Sequence, residues 1–230
     1  MEIALFLTAY GVFVFSLVAH EGAHAIVAKW GGDWTAYNRG QASLNPLPHM
    51  RREPAGLIVI PILTYLSGGF MMGWASAPYH VEWSRRYPRR AALMAAAGPA
   101  ANFILVLAAS GLILWMMREE GWQLAAGGWD SLVSNRDGEF DLGTRCVSML
   151  WMQNLLLMLF NLIPVPPLDG AAMLSGILPK ALRKKWQIAM HDSRVAGVGI
   201  LVVWLGFGRL WRPALSAAYS WLKAIGSRVV

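Results

Sequence analysis

The run Ile3–Ala19, IALFLTAYGVFVFSLVA, passes without a break into His20-Glu21-Gly22-Ala23-His24. The pattern predicts a helix from about Ile3 to about Trp30, ended by Gly31-Gly32 because paired glycines favour a turn. Imidazoles at i and i+4 share one helix face, one turn apart. Both can reach a single Zn²⁺, and Glu21 stands beside them as a candidate general base. This spacing puts a hydrolytic metal motif where a bilayer should be.

The rest of the composition agrees with a membrane setting. The chain has 230 residues, 56% hydrophobic and 14% charged, against about a quarter charged in ordinary soluble domains. Apolar blocks at Ile3–Ala19, Leu57–Ala75, Ala91–Met117 and Cys146–Ile163 approach or exceed the roughly 20 residues a span needs. The expected fold class is an all-α polytopic membrane protein of about four to six transmembrane or re-entrant helices. A small extended or hairpin segment, around Ala42–Leu44, is expected after the first helix. Twelve Trp residues suit membrane interfaces, where indole has one wet and one dry edge.

The net charge of +7 raises the question of nucleic acid. Its cations, however, cluster in short loops between apolar blocks, as in Arg85-Arg86, Arg89-Arg90 and Arg183-Lys184-Lys185. That is a positive-inside pattern, and no nucleic-acid partner is expected. Cys146 is the single cysteine, which excludes an internal disulfide and a Cys-rich metal site. Glu2 is acidic and no basic residue precedes the apolar run, so the segment is expected to be retained rather than cleaved as a signal peptide.

Residues 33–56 are polar and Pro-rich and are expected as loop or extended chain. Leu57–Ala75, broken by Pro61, Gly68-Gly69 and Gly73, either spans or dips and returns. The basic loops on both sides favour the dip. Residues 118–145 are acidic and are expected as an external loop. Lys180–Arg194 is basic and expected on the cytoplasmic side. Val195–Gly208 is short enough to be re-entrant, and 209–228 reads as an interfacial amphipathic helix. One domain is expected over residues 1–230, with a catalytic core at about 1–180 and the C-terminal apolar segment and amphipathic helix at 181–230.

A hydrolytic zinc takes three protein ligands and keeps one position for water. The extended HExxHxxGxxH pattern is absent, since Val27 and Trp30 hold the positions of its Gly and third His. Among the acidic residues after Glu21, Asp169 alone stands between two apolar segments, behind Pro164-Val165-Pro166-Pro167-Leu168. A charge there is costly unless paired or metal-bound, and non-helical backbone at that depth must line protein or a watery cavity. Asp169 is the candidate third ligand, with a plain helix N-cap or an interfacial loop aspartate as the alternatives. Chance remains the alternative for the HExxH pair itself. Bis-histidine haem ligation does not fit, because two residues one turn apart cannot flank a haem. His49, His80 and His191 stand in polar stretches and are expected to be solvated, although His49 could line a cleft.

Assembled, these residues resemble the site-2 protease family of intramembrane zinc metalloproteases. The family pattern pairs HExxH with a later N-x-x-P-x-x-P-L-D-G stretch, here Asn161-Leu162-Ile163-Pro164-Val165-Pro166-Pro167-Leu168-Asp169-Gly170. Leu44-Asn45-Pro46-Leu47-Pro48-His49, Gly73-Trp74-Ala75 with Pro78, and Ala97-Gly98-Pro99-Ala100-Ala101-Asn102 resemble further stretches of a bacterial branch without PDZ or CBS domains. The likeness covers about residues 10–180 and departs after His49, where Met50-Arg51-Arg52-Glu53-Pro54 replaces a shorter Asp-Pro stretch.

The resemblance implies one Zn²⁺ held by His20, His24 and Asp169, with Glu21 as catalytic base. It implies that Asn161 holds the substrate backbone or the oxyanion, and that Asn102 is a polar contact in the substrate cleft. The implied substrate is a transmembrane protein or peptide within the lipid bilayer. The expected location is the cell inner membrane, multi-pass, with the site open toward the cytoplasm. The sequence leaves a homo-oligomer open. An inactive zinc-binding scaffold is the alternative function, and an ion transporter a weaker one because internal repeats are lacking.

Overall fold

The computed structural model describes residues 2–125 and 127–229. Helix α1 runs Glu2–Trp30, ending at Gly31 and Gly32, the latter at φ +97°. Short helices α2 (Thr35–Asn38) and α3 (Pro46–Arg52) follow. The chain then enters a π-helical stretch, Ala55–Val59, that continues as α4 (Ile60–Gly68). After α5 (Val81–Arg86) come the long α6 (Pro88–Glu119), a hairpin of β1 (Gln123–Leu124) and β2 (Val133–Ser134), and α7 (Leu142–Asn161). The last elements are α8 (Asp169–Ile177), α9 (Lys180–Met190) and α10 (Ser193–Val229). The hairpin is antiparallel, with Gln123 opposite Ser134.

Among the described residues, three helices are long and apolar enough to cross a membrane: Glu2–Trp30, Pro88–Glu119 and Ser193–Arg228. The protein is an all-α membrane protein. α7 is less apolar because it carries Arg145, Gln153 and Asn154. It packs against both α1 and α6, and its 20 residues reach about 30 Å, the thickness of the hydrocarbon core. Phe13, Leu17 and Val18 of α1 join Leu57, Met149 and Leu157 in one core. Val106 and Ile113 of α6, Trp151 and Leu155 of α7, Val133 of the hairpin and Leu222 of α10 form another.

Three local expectations are corrected, and for Leu57–Ala75 the favoured of two alternatives is found. No strand forms at Ala42–Leu44. Gly40 turns the chain at φ +76°, and the Gln41 amide then donates to Ser76 O, which leaves too short a stretch to pair. The Pro-rich loop is helical at Pro46–Arg52, because Asn45 caps it through Leu47 N and Pro46 falls in the first turn, where no N–H is needed. Leu57–Ala75 does not cross. The helix stops at Gly69 (φ +72°), and the chain returns past its own start, with Trp74 N donating to Gly56 O. Glycine is obligatory at that crossing: a Cβ on Gly56 would lie 2.1 Å from Trp74 O, and one on Gly73 2.0 Å from Gly56 O. Finally, the separate 195–208 and 209–228 segments are one helix. Gly206, Gly208 and Pro213 interrupt too little backbone bonding to break it in lipid.

The two ends of the bundle differ in charge. At one end, Trp83 Nε1 and Arg90 both donate to Gly31 O, and Gly176 of α8 packs on Ala92 of α6. This end carries α5, the start of α6 and the basic α9. At the other end the β hairpin joins the acidic 118–145 stretch, where Arg145 pairs with Asp130.

Candidate metal centre

The metal motif lies on the C-terminal half of α1, ten residues from Trp30 at His20 and six at His24. At 1.5 Å per residue this is about 15 and 9 Å inside the basic end. His20, Glu21 and His24 are all buried. The two rings meet edge to face with centroids 4.6 Å apart.

Asp169 reaches them from the end of α7. Pro164, Pro166 and Pro167 remove successive donors, so the backbone after Asn161 leaves the helix and folds into turns held by Val165 N to Ile163 O and Leu168 N to Val165 O. Gly170 lets this loop close: a Cβ there would lie 2.4 Å from the carbonyls of Leu162 and Ile163. Asp169 is the first residue of α8, with Leu168 as its cap. Asp169 Oδ2 lies 3.0 Å from His20 Nε2 and 3.3 Å from His24 Nε2. The donor atoms of His20, His24 and Asp169 lie within 4.8 Å of one another, the one such triad among the described residues.

Hydrogen bonding fixes which nitrogens face inward. His24 Nδ1 lies 2.7 Å from Met94 O, which only accepts. His20 Nδ1 lies 2.5 Å from Asn102 Oδ1. The Asn102 amide nitrogen donates to Asn154 Oδ1 at 2.7 Å and Ser16 O at 3.3 Å, so its oxygen must accept from His20. With both Nδ1 atoms donating, neutral imidazoles present lone pairs at Nε2. Those lone pairs face each other at 3.0 Å with a carboxylate oxygen beside them. Three electron-pair donors this close repel unless a proton or a metal ion lies between them, and two imidazoles with one carboxylate suit Zn²⁺. The residues fit the metal.

Gly98 of α6 lines the same space. A Cβ on it would lie 2.4 Å from both Nε2 atoms, close to where a ligand-sharing ion at 2.0–2.1 Å would sit.

Asn102, expected as a contact in the substrate cleft, is corrected. It is fully buried, and its side chain is committed to His20, Asn154 and Ser16. It orients the His20 ring and does not face a cleft. His49, expected to be solvated, is fully buried in α3. Its Nε2 lies 3.4 Å from Ser43 O, and its Nδ1 has no partner. Burial pushes the His49 imidazole below its ordinary range, against the opposing pull of the Ser43 carbonyl and the Glu21 charge. His80 and His191 are exposed. Asn161 is half-buried and donates to Leu157 O within its own helix at 3.0 Å. Sequence reasoning passed over Asn154, Ser16 and Gly98. For Asn154 there was a signal, since Gln153-Asn154 interrupts an otherwise apolar run.

Residues 137–205 match the family described as Peptidase family M50. Over 209 residues the chain is 34% identical to "Putative zinc metalloprotease YwhC" of Bacillus subtilis, covering 89% of this chain and 84% of that protein. The chain belongs to peptidase family M50, the site-2 proteases. This M50 chain is also 30% identical to "Putative zinc metalloprotease Rip2" of Mycobacterium tuberculosis, over 94% of its length and 80% of the relative. With the Rip2 of Mycolicibacterium smegmatis it shares 28% identity over 88% of its length and 68% of the relative. No solved structure matches it significantly. It is therefore an enzyme of a zinc metalloprotease family, built from membrane helices.

Proposed function

We propose that this M50 protease cuts peptide bonds within or near the transmembrane segments of membrane proteins. One zinc per chain is held by His20, His24 and Asp169. What supports this reading is the pair of imidazole lone pairs that meet at 3.0 Å beside the Asp169 carboxylate, a donor set that needs a cation. When bound there, zinc lowers the pKa of an attached water from 15.7 to about 7 and polarises the scissile carbonyl.

Glu21, buried beside both ligands, takes a proton from the attacking water and returns it to the leaving amine. One amide hydrogen of Asn161 goes to Leu157 O, and the other is free to meet the substrate carbonyl as its oxygen gains charge. A helical substrate hides its carbonyls in its own hydrogen bonds, so it must unwind to be cut.

The catalytic core comprises about residues 1–180 of one domain spanning 1–230. The site lies nearer the basic end of the bundle, and basic loops favour the cytoplasmic face. The site therefore opens toward the cytoplasm from a multi-pass position in the cell inner membrane.

Metal analysis of the purified protein, beside chelator-reversible cleavage of a single-span peptide in liposomes, tests the proposal. His20→Ala and Asp169→Ala should lose both zinc and cleavage, whereas Glu21→Gln should keep zinc and lose turnover. Full activity of Glu21→Gln would overturn the scheme.

A further inference from the structure

A second feature lies deeper in the bundle. A cavity of about 270 Å³ opens between α1, the returning segment after α4, α7 and α10, with walls that include Phe13, Phe70, Phe160, Trp204 and Phe207. Gln153 also lines it. This side chain is only 3% exposed, and among the described residues its carboxamide meets no hydrogen-bond partner. A carboxamide offers two donors and an acceptor, and burying it unpaired among aromatic rings is unfavourable. Its neighbour Asn154, by contrast, is fully engaged in the network behind His20.

Two of the helices that wall the cavity, α1 and α7, also carry residues of the candidate site. Phe13 lies on the same face of α1 as His20, two turns away, or about 10 Å along the axis. On α7, Gln153, Leu156 and Phe160 form one stripe that ends beside Asn161.

Three occupants can be weighed by chemistry. A lipid acyl chain fills the aromatic walls but leaves the carboxamide unpaired. A helical peptide has its backbone groups already bonded within itself, so it too leaves the carboxamide without a backbone partner. An extended peptide satisfies both demands, because the N–H and C=O of one residue point to the same side of the strand and can donate to Gln153 Oε1 while accepting from Nε2–H.

We infer that Gln153 is a specificity-determining residue that pairs with the backbone N–H and C=O of one residue of an unwound substrate segment lying in this cavity. The inference rests on the protease reading above and adds the conformation that the site selects. The roughly 10 Å between Phe13 and His20 along α1, at about 3.3 Å per extended residue, puts the paired residue about three residues from the scissile bond. The aromatic walls hold a bulky apolar side chain next to it.

The test uses the full chain in liposomes and a single-span peptide with an Ala/Gly-rich centre, prepared as a panel with one backbone N–H at a time replaced by N-methyl. The bond that the wild-type protein cuts is located by mass spectrometry. Affinity is then read with the zinc-loaded Glu21→Gln protein, which should not turn over. One methylated position, about three residues from the cut, should bind about ten-fold more weakly than its neighbours. Adding Gln153→Leu should weaken the unmethylated peptide by the same factor and abolish the effect of methylation at that position alone, as a coupled pair requires.

Affinities that stay at the Glu21→Gln level across the panel would overturn the inference, as would a methylation profile unchanged by Gln153→Leu. So would a fall in melting temperature for Gln153→Leu, because the carboxamide would then be structural. Altered phospholipid co-purification with unchanged peptide affinity would make the cavity a lipid site and equally refute it. Failure of the protease reading is distinct: there the wild type cuts nothing in a chelator-sensitive manner.

Discussion

Asn102 Oδ1 and His20 Nδ1 lie 2.5 Å apart, and this contact ties the chemistry of α1 to the packing of α6 and α7. Asn102 cannot present its amide nitrogen to the ring, because that nitrogen is held by Asn154 and Ser16 O. Asn154 in turn donates to Ser16 Oγ and Leu150 O. The network therefore sets the His20 tautomer. Partners of this kind alter metal affinity by about 10–100-fold. Asn102→Ala should weaken zinc by that factor, measured by competition with a chelator. Wild-type affinity in Asn102→Ala would remove the network from any role at the metal.

Gly98 gives a sharper steric test. Adding one methyl group at this position puts carbon 2.4 Å from both Nε2 atoms without changing the charge of the site. Alanine is also the better helix former by about 1 kcal/mol. Gly98→Ala should therefore keep the helical content of the wild type while its zinc content falls below about a tenth of an equivalent. A full equivalent in Gly98→Ala would mean that the ion does not lie between these imidazoles.

Metal binding should also be visible as stability. A ligand that binds only the folded state stabilises it by about 4 kcal/mol at a thousand-fold excess over its dissociation constant. Stripping zinc should lower the melting temperature of the wild type by several degrees. Asp169→Ala, lacking the carboxylate, should melt at one temperature with or without added zinc. A chelator-dependent shift of wild-type size in Asp169→Ala would exclude Asp169 as a ligand.

The candidate metal triad could be read from the sequence because each part has a local cause. Residues i and i+4 of a helix meet whatever the fold does, and three prolines before an aspartate force backbone that lipid does not tolerate unless it serves a site. Asn102 and His49 show where such reading stops. Both are polar residues in recognisable stretches, yet which way a side chain turns is decided by partners distant in sequence: Asn154 for the one, the burial of α3 for the other. Nor does a sequence show that Gly98 opposes the imidazoles, since that depends on how closely α6 approaches α1. The continuity of α10 was hidden for a different reason. Arg209, Arg212 and Pro213 look like a boundary, but a helix of 37 residues is about 55 Å long, and an apolar half and a basic half fit in one rod.

His49 makes stability depend on pH in a predictable direction. Burial holds its folded-state pKa below the ordinary value of 6.5, so the native protein prefers the neutral ring. As pH falls through about 6.5 the unfolded chain takes up the proton first, and stability is lost until the native ring also titrates. Above that range His49 contributes no pH dependence. His49→Gln keeps a polar side chain but cannot titrate. The other histidines, including the candidate ligands, are common to both proteins. The difference in melting temperature between wild type and His49→Gln should therefore be constant from pH 8 to about 7 and shift against the wild type below about pH 6.5. Parallel melting curves down to pH 5 would mean that the His49 ring does not stay neutral in the folded protein.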